Sequence, residues 1–324
     1  MKILIIGGAG MVGRKLAQKL AADGHLGGKT ITALALQDVV APTPPPSASF
    51  PVKTLVGDLS VPTESAKLLA DKPDVIFHLA AIVSGEAEQE FDKGYRINLD
   101  GTRYLLEAAR HAGNKPRVVF TSSIAVFGAP FPDAIGDEFF NTPLTSYGTQ
   151  KTIGELLLSD YTRKGFLDGV AIRLPTICVR PGTPNKAASG FFSNIIREPL
   201  AGHEAVLPVS EDVRHWHASP RAAVGFLTHA ATIAGERIGP RRALTMPGLS
   251  VTVGEQIAAL KKVGGDKVVA RIKRVPDAAI TSIVAGWPRN FSAKRAEALG
   301  FKAETSFEEI IRIHIDDELG GRIA

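Results

Sequence analysis

Short apolar runs alternate with longer amphipathic stretches along the first half of the chain. The apolar runs cover residues 2–6, 30–36, 52–56, 75–79, 117–121 and 170–179. Between several of them, at 11–22, 63–71 and around 98–108, apolar residues recur at the spacing of a helix face. Strands that alternate with helices in this order predict a doubly wound α/β fold with a parallel sheet over residues 1–174.

The first apolar run leads directly into Gly7-Gly8-Ala9-Gly10-Met11-Val12-Gly13, where a helical pattern begins. Gly7 permits a tight turn from strand to helix, Gly10 lets the backbone approach a pyrophosphate, and Gly13 lets the helix pack on the sheet. Such glycine spacing is weak evidence alone. Its position between a strand and a helix predicts a dinucleotide-binding Rossmann fold.

Two acidic residues follow the next two strands. Asp38 ends the second strand, where a carboxylate can accept both hydroxyls of an adenosine ribose and would repel a 2′-phosphate, which favours NAD over NADP. Asp38 lies more residues after the glycine motif than is usual, which we attribute to the Gly27-Gly28 insertion. The alternative is that Asp38 is an ordinary loop aspartate. Asp58 follows the third strand, where an adenine amino group can be met.

The C-terminal part has a different pattern. From residue 243 onwards, short helical and strand patterns are separated by Gly and Pro and end in an amphipathic helix at 306–317. We therefore predict an NAD-binding Rossmann domain over 1–174, completed by about 215–240. A smaller substrate-binding cap would comprise residues 175–214 and 241–324.

Composition narrows the classes of partner. The chain has 324 residues, a formal charge of +5 and a pI near 9.3, but its basic residues are scattered, which favours a small anionic ligand over nucleic acid. It has no apolar stretch of about 18 residues, so no membrane span is predicted, and its apolar start is too short for a signal peptide. The single Cys178 excludes an internal disulfide and suits the cytoplasm, where we expect the protein to act.

Tyr147 and Lys151 are candidates for acid/base chemistry. On a helix their spacing places both side chains on one face, whereas a free tyrosine titrates near ~10, too high for a base at neutral pH. The lysine cation and a charged nicotinamide ring would both favour the phenolate. A surface pair on an amphipathic helix is the alternative. Ser123 follows the fifth strand, at the sheet edge where ligands bind, and can reach the same substrate hydroxyl.

Several motifs together resemble the extended short-chain dehydrogenase/reductases, the NAD-dependent epimerase/dehydratase group. They are Gly7-x-x-Gly10-x-x-Gly13, His78-Leu79-Ala80-Ala81, Asn98-x-x-Gly101-Thr102, Ser122-Ser123-x-x-Val126-Phe127-Gly128 and Tyr147-x-x-x-Lys151. The resemblance covers essentially the whole chain. One departure is Phe127, where the group usually has tyrosine, a change expected to affect packing only.

The resemblance implies a role for each matching residue. Tyr147 would be the general acid/base, Lys151 would bind the nicotinamide ribose and lower the tyrosine pKa, and Ser123 rather than Ser122 would bond the reacting oxygen. The implied NAD contacts are Gly7, Gly10, Met11, Val12, Gly13, Asp38, Asp58, Leu59, Ala80, Asn98, Tyr147 and Lys151. A homodimer is left open.

The downstream half resembles sugar-acid oxidoreductases more than nucleotide-sugar epimerases. The resembling stretches are Gly136–Glu138, Arg173–Gly182, Asn185–Phe192 and Ser219–Val224, whereas Arg214–Pro220 departs from the segment of many epimerases. The favoured interpretation is oxidation of a secondary alcohol of a small sugar acid. An epimerase or dehydratase of nucleoside-diphosphate sugars would use the same Tyr/Lys/Ser set, and a non-catalytic NAD(H) sensor is a third alternative.

A carboxylate substrate needs a cationic partner, and a planar guanidinium can make two parallel hydrogen bonds to it. Arg180 follows the sixth strand toward the cleft and is our candidate, with Arg173, Arg214 and Arg221 as rivals. The substrate contacts predicted are Ser123, Tyr147, Arg180 and Asn185. No metal site is expected, because His203, His215 and His217 lack a Cys or acidic partner at ligand spacing.

Overall fold

The computed structural model describes residues 1–182 and 188–324. Its strands are β1 (Lys2–Ile6), β2 (His25–Leu26), β3 (Lys29–Thr30), β4 (Ala33–Asp38), β5 (Val52–Val56), β6 (Val75–His78), β7 (Arg117–Ser123), β8 (Ile135–Gly136), β9 (Asp168–Leu174), β10 (Thr176–Ile177), β11 (Ala205–Leu207), β12 (Arg214–Ala218), β13 (Ala243–Thr245), β14 (Leu249–Thr252), β15 (Ile272–Arg274) and β16 (Phe291–Ser292). Its α-helices are α1 (Met11–Asp23), α2 (Pro62–Leu69), α3 (Ser84–Gln89), α4 (Phe91–Gly94), α5 (Gly101–Ala112), α6 (Ser146–Arg163), α7 (Gly190–Leu200), α8 (Pro220–Thr232), α9 (Gly235–Ile238), α10 (Val253–Gly264), α11 (Asp266–Val269), α12 (Ala278–Ala285), α13 (Lys294–Ala298) and α14 (Phe307–Leu319). A π-helical turn (Tyr95–Asp100) precedes α5, and a 3₁₀ turn (Ile124–Val126) follows β7.

A seven-stranded sheet in the order β13-β9-β7-β6-β1-β4-β5 forms the centre of the molecule. All of its pairings are parallel, which confirms the predicted doubly wound fold. After β1 the chain adds β4 and then β5 on one side of β1, and then crosses over to add β6 on the other side of β1. This reversal beside β1 opens a crevice at the carboxyl ends of the strands, the usual place for a ligand.

Apolar strands are buried between two layers of helices. One core cluster joins the sheet to α1 and α8, and another joins its opposite face to α2, α5 and α6. Continuous apolar runs such as Ile3–Ile6 form central strands because both of their faces are covered, and these four residues are at most 2 % exposed.

Four of the six predicted strands have different bounds in the structure, although the runs at 75–79 and 117–121 differ from β6 and β7 by only one and two residues. The run at 30–36 is shifted to β4, because Lys29 and Thr30 pair with β2 in a short antiparallel hairpin. The run at 170–179 is divided at Pro175, which has no N–H for a ladder hydrogen bond. After this proline, β10 joins a second sheet in the order β10-β12-β14.

The C-terminal part has a core of its own. Side chains of α7, α10 and α14 pack together with Leu207 of β11 and Ile272 of β15. The chain also returns to the central sheet, because α8 packs against it and β13 adds its last strand beside β9. The division into an NAD-binding domain and a cap, with its boundaries, stays a prediction.

Candidate active site

The turn between β1 and α1 provides a cradle of backbone. Gly7 has a φ of +90°, a conformation that favours glycine, and its N–H donates to the carbonyl of Gln37 at 2.8 Å. A Cβ on Gly13 would lie 2.2 Å from the carbonyl oxygen of Gly7, so only glycine lets α1 pack this closely. Gly10 caps α1 without a side-chain hydrogen bond. This glycine-lined helix N-terminus fits a pyrophosphate.

Asp38 lies beside the cradle. Asp38 accepts hydrogen bonds from the N–H of Ala9 at 3.0 Å and of Val39 at 2.7 Å. Its carboxylate is therefore fixed beside the glycine turn, and the oxygens keep lone pairs for ribose hydroxyls.

Asp58 is held differently. Its Oδ1 accepts from the N–H and hydroxyl of Ser60, at 2.9 and 2.6 Å, and its Oδ2 accepts from Arg96 at 3.1 Å. Burial acts to raise the pKa of Asp58, but these hydrogen bonds outweigh it, so the pKa is lowered and the side chain is an anion at neutral pH. Its neighbour Leu59 is buried, and Ala80 lies against the glycine turn, with its nitrogen 2.7 Å from where a Cβ on Gly7 would be.

Ser123, Tyr147 and Lys151 line one cleft at the carboxyl edge of the sheet, together with Met11 and Val12. Helix α6 starts at this edge because the Thr145 side chain accepts a hydrogen bond from the N–H of Gly148. Lys151 donates to the carbonyl of Thr121 at 2.8 Å, and its Nζ is 5.6 Å from the centroid of the Tyr147 ring. The structure thus brings the three predicted catalytic side chains together.

Burial within this cluster opposes the expected lowering of the tyrosine pKa by Lys151. Burial raises the pKa of Tyr147 to about 12, and the Ser123 side chain opposes this only in part. Burial also lowers the pKa of Lys151 to about 7, although the nearby Glu155 acts to raise it. A lysine that is only partly protonated at neutral pH is a weak source of positive potential, so the lysine alone does not make Tyr147 a phenolate.

Asn98 connects the segment after β6 with helix α6. The π-helical turn places its side chain against Ile82, whose N–H donates to Oδ1 at 2.9 Å, while Nδ2 donates to Gln150 of α6 at 2.8 Å. This buried asparagine bonds backbone, as expected, but at the segment after β6. His78 is 2.8 Å from the hydroxyl of Thr102 and is a packed residue.

Three of the four candidate arginines are already paired with acids. Arg173 is bound to Glu155 through Nε at 2.8 Å and Nη2 at 2.7 Å, and this carboxylate also accepts from Ser122. The other two form surface ion pairs, Arg214 with Glu255 and Arg221 with Asp317.

Arg180 is the exception. It lines the cleft, and its Nη2 donates to the hydroxyl of Ser189 at 2.6 Å, while its buried Nε has no hydrogen-bond partner within the described residues. Burial lowers its pKa, yet a guanidinium keeps its charge at neutral pH. Over the described ranges no carboxylate pairs with this cation. The remaining predicted substrate contact, Asn185, lies outside the described residues.

Thr176 and Trp287 are among the cleft-wall residues that sequence reasoning missed, and it considered His215 only as a zinc ligand. His215 instead bonds the hydroxyl of Thr176 and the carbonyl of Pro288. The signal for Thr176 was its position just after β9, at the same sheet edge as Ser123. Within the described chain, no group of His, Cys, Asp and Glu side chains can hold a metal ion.

The parallel sheet, the glycine cradle and the acid at the end of β4 define a Rossmann-fold enzyme that uses a dinucleotide. The model of the NAD dependent epimerase/dehydratase family matches residues 3–226, and the chain belongs to this family, as the sequence motifs predict. NAD is accordingly its cofactor, and the chain is a dehydrogenase that acts on a secondary alcohol. In the described part of the chain, no helix has the length and apolar character that crossing a membrane requires.

Three relatives are similar over almost their full length. D-erythronate dehydrogenase of Cupriavidus necator is 49% identical, with 98% of each chain covered. D-erythronate dehydrogenase of Haemophilus influenzae is 43% identical, with 98% of this chain and 100% of the relative covered. A solved structure, described as the nucleoside-diphosphate-sugar epimerase from Agrobacterium tumefaciens, is 66% identical with a TM-score of 0.98 and covers 100% of this chain and 96% of its own.

Proposed function

We propose that this chain oxidises D-erythronate to 2-dehydro-D-erythronate with NAD. The substrate class rests on one structural observation above all: Arg180, a cation without an acidic partner among the described residues, lines the same cleft as Tyr147. In a sugar acid the carboxylate carbon, C1, is bonded directly to the C2 that bears the hydroxyl, so one pocket can hold the carboxylate and present the C2 hydroxyl. The similarity to two D-erythronate dehydrogenases supports this choice.

NAD, when bound, would supply the hydride acceptor and the positive charge of its nicotinamide ring. Tyr147 then takes the proton of the C2 hydroxyl at its phenolic oxygen. Because burial alone raises the pKa of this phenol to about 12, the base depends on positive charge from Lys151 and the ring together. We therefore assign Lys151 two tasks, to hold the nicotinamide ribose and to stabilise the phenolate.

Ser123 is suited to orient the reacting oxygen. Its Oγ accepts a hydrogen bond from the N–H of Ala125 at 3.1 Å, which leaves its own hydrogen to donate. A serine that donates to the substrate oxygen while Tyr147 removes the proton holds that oxygen in line. Positioning of this kind contributes to the rate without a further charged group.

A nucleoside-diphosphate-sugar epimerase is the second candidate, because the 66% identical solved structure carries that description. The two functions differ in their use of NAD. A dehydrogenase releases NADH, whereas an epimerase regenerates NAD within each turnover. Absorbance at 340 nm, with excess NAD and either D-erythronate or UDP-glucose, therefore separates them.

We expect NADH to accumulate with D-erythronate and with neither UDP-glucose nor dTDP-glucose. The Tyr147→Phe variant is the matched control for contaminating activity. Turnover of a nucleotide sugar without NADH, together with no reaction of D-erythronate, would refute the proposal. The single buried Cys178 fits a reducing cytoplasm, which stays our predicted location. The question of a homodimer, which the sequence leaves open, is testable by sedimentation.

A further inference from the structure

Thr176 and His215 form a hydrogen-bonded pair in the wall of the cleft that contains Tyr147 and Arg180. The Thr176 Oγ1 lies 2.7 Å from Nε2 of His215, and Nδ1 of the same ring lies 2.9 Å from the carbonyl oxygen of Pro288. Neither the proton-transfer chemistry nor the carboxylate clamp uses this pair. It nevertheless lines the same cleft as these two groups.

The direction of both hydrogen bonds follows from the Pro288 carbonyl. A carbonyl oxygen only accepts, so Nδ1 of His215 carries the proton and donates. In the neutral ring Nε2 then has a lone pair and no hydrogen, so the Thr176 hydroxyl must donate to it. With its hydrogen engaged, the Thr176 oxygen can offer only lone pairs to the cleft.

The surroundings of His215 hold this arrangement in place. The ring is 2 % exposed and stacks on Phe192 with 5.3 Å between centroids and 5° between planes, and Trp287 packs against it at 5.3 Å. Burial lowers the pKa of His215 to about 4, although its bond to Pro288 opposes this. The ring is thus neutral at physiological pH, and it does not reverse the bond by donating from Nε2.

We propose that Thr176 is a specificity-determining residue, whose hydroxyl oxygen accepts a hydrogen bond from a substrate hydroxyl beyond the oxidised carbon. His215 acts as the positioning residue that makes it an obligate acceptor. The cleft lining then contains two complementary groups, since Arg180 only donates and Thr176 only accepts. This complementarity selects polyhydroxy acids over 2-hydroxy acids with a plain alkyl chain. The proposal for Thr176 rests on the proposed function and specifies its substrate class further.

The kinetic test compares D-erythronate with 2-hydroxybutanoate of the same C2 configuration, which has no hydroxyl at C3 or C4. Thr176→Val has nearly the same shape but neither donor nor acceptor, and Thr176→Ser is the matched control that keeps both. We expect Thr176→Val to reduce the preference for D-erythronate, the ratio of the two kcat/KM values, on the order of 10- to 100-fold. Thr176→Ser should keep most of the wild-type preference for D-erythronate. An unchanged ratio in Thr176→Val would overturn the proposal.

A second test needs no substrate. In protein with ¹⁵N-labelled histidine, the ring nitrogen shifts of His215, identified by their loss in His215→Asn, report which nitrogen carries the proton. We expect a protonated Nδ1 and an unprotonated Nε2 that shifts when Thr176→Val removes its donor. A proton on Nε2 would overturn the proposal even if D-erythronate is oxidised. Failure of wild-type enzyme to oxidise D-erythronate, with the expected tautomer present, would instead refute the proposed function.

Discussion

Replacement of Arg180 by methionine tests the carboxylate clamp, because methionine fills a similar volume without charge or donors. A hydrogen bond to a charged group contributes about 1.5–3 kcal/mol, and 1.4 kcal/mol corresponds to a tenfold change. We therefore expect kcat/KM for D-erythronate to fall between about 10- and 150-fold, mostly through KM. Arg180→Lys keeps the charge but loses the planar fork, so its kcat/KM should lie between those of the wild type and Arg180→Met.

The assay is the initial rate of NADH formation at saturating NAD with varied D-erythronate, and a separate titration measures NAD binding. Because Arg180 also donates to Ser189, Ser189→Ala is the control that removes this contact and keeps the guanidinium. NAD affinity should stay near wild type in all of these variants. A KM for D-erythronate in Arg180→Met equal to that of Ser189→Ala would refute the carboxylate clamp. Arg173 could not act as the clamp instead, because Glu155 already binds its guanidinium.

Three further predictions concern the cofactor end of the cleft. Tyr147→Phe should lower kcat on the order of 10²–10⁴-fold with NAD affinity near wild type, since only the proton acceptor is lost; retention of most turnover would show that another group takes the proton. Burial lowers the pKa of Lys151 from 10.5 to about 7. Between these two pH values Lys151 is protonated in the unfolded chain but largely deprotonated in the folded one, so the stability of the wild type should rise with pH relative to that of Lys151→Met. Melting temperatures of both proteins from pH 6 to 10 measure this difference. Parallel curves of melting temperature against pH would contradict a lowered pKa of the buried Lys151. Asp38 should make kcat/KM with NAD about tenfold or more higher than with NADP, and Asp38→Ala should narrow that ratio; equal use of both by wild type would mean that Asp38 is not on the ribose.

The sequence predicts the central sheet well because its signals are local. Apolar runs between helical patterns identify strands that are covered on both faces, and the glycines at residues 7–13 mark the first turn. Strand ends were less predictable, since the hairpin of β2 and β3 and the break at Pro175 depend on tertiary pairing. The positions of Ser123 and Tyr147 at one cleft followed from the rule that ligands bind at the carboxyl edge of a parallel sheet.

The polar network of the site could not be predicted in the same way. The choice among four arginines depends on which of them finds an acid in the folded chain, and Glu155 is 18 residues from its partner Arg173 in sequence. The pair of Thr176 and His215 spans 39 residues and is completed by the carbonyl of Pro288, a further 73 residues along. Likewise, the sequence could not show that burial raises the pKa of Tyr147 to about 12, because desolvation depends on the whole fold.

The central claim is that this cleft removes a hydride from C2 of D-erythronate and releases it as NADH. D-erythronate with deuterium at C2 tests it directly, by mass spectrometry of the nicotinamide product and by NMR of the sugar acid. We predict one deuterium in each NADH formed and an equal amount of 2-dehydro-D-erythronate without deuterium. Unlabelled NADH, or deuterium that stays in the sugar-acid product without accumulation of NADH, would contradict the account.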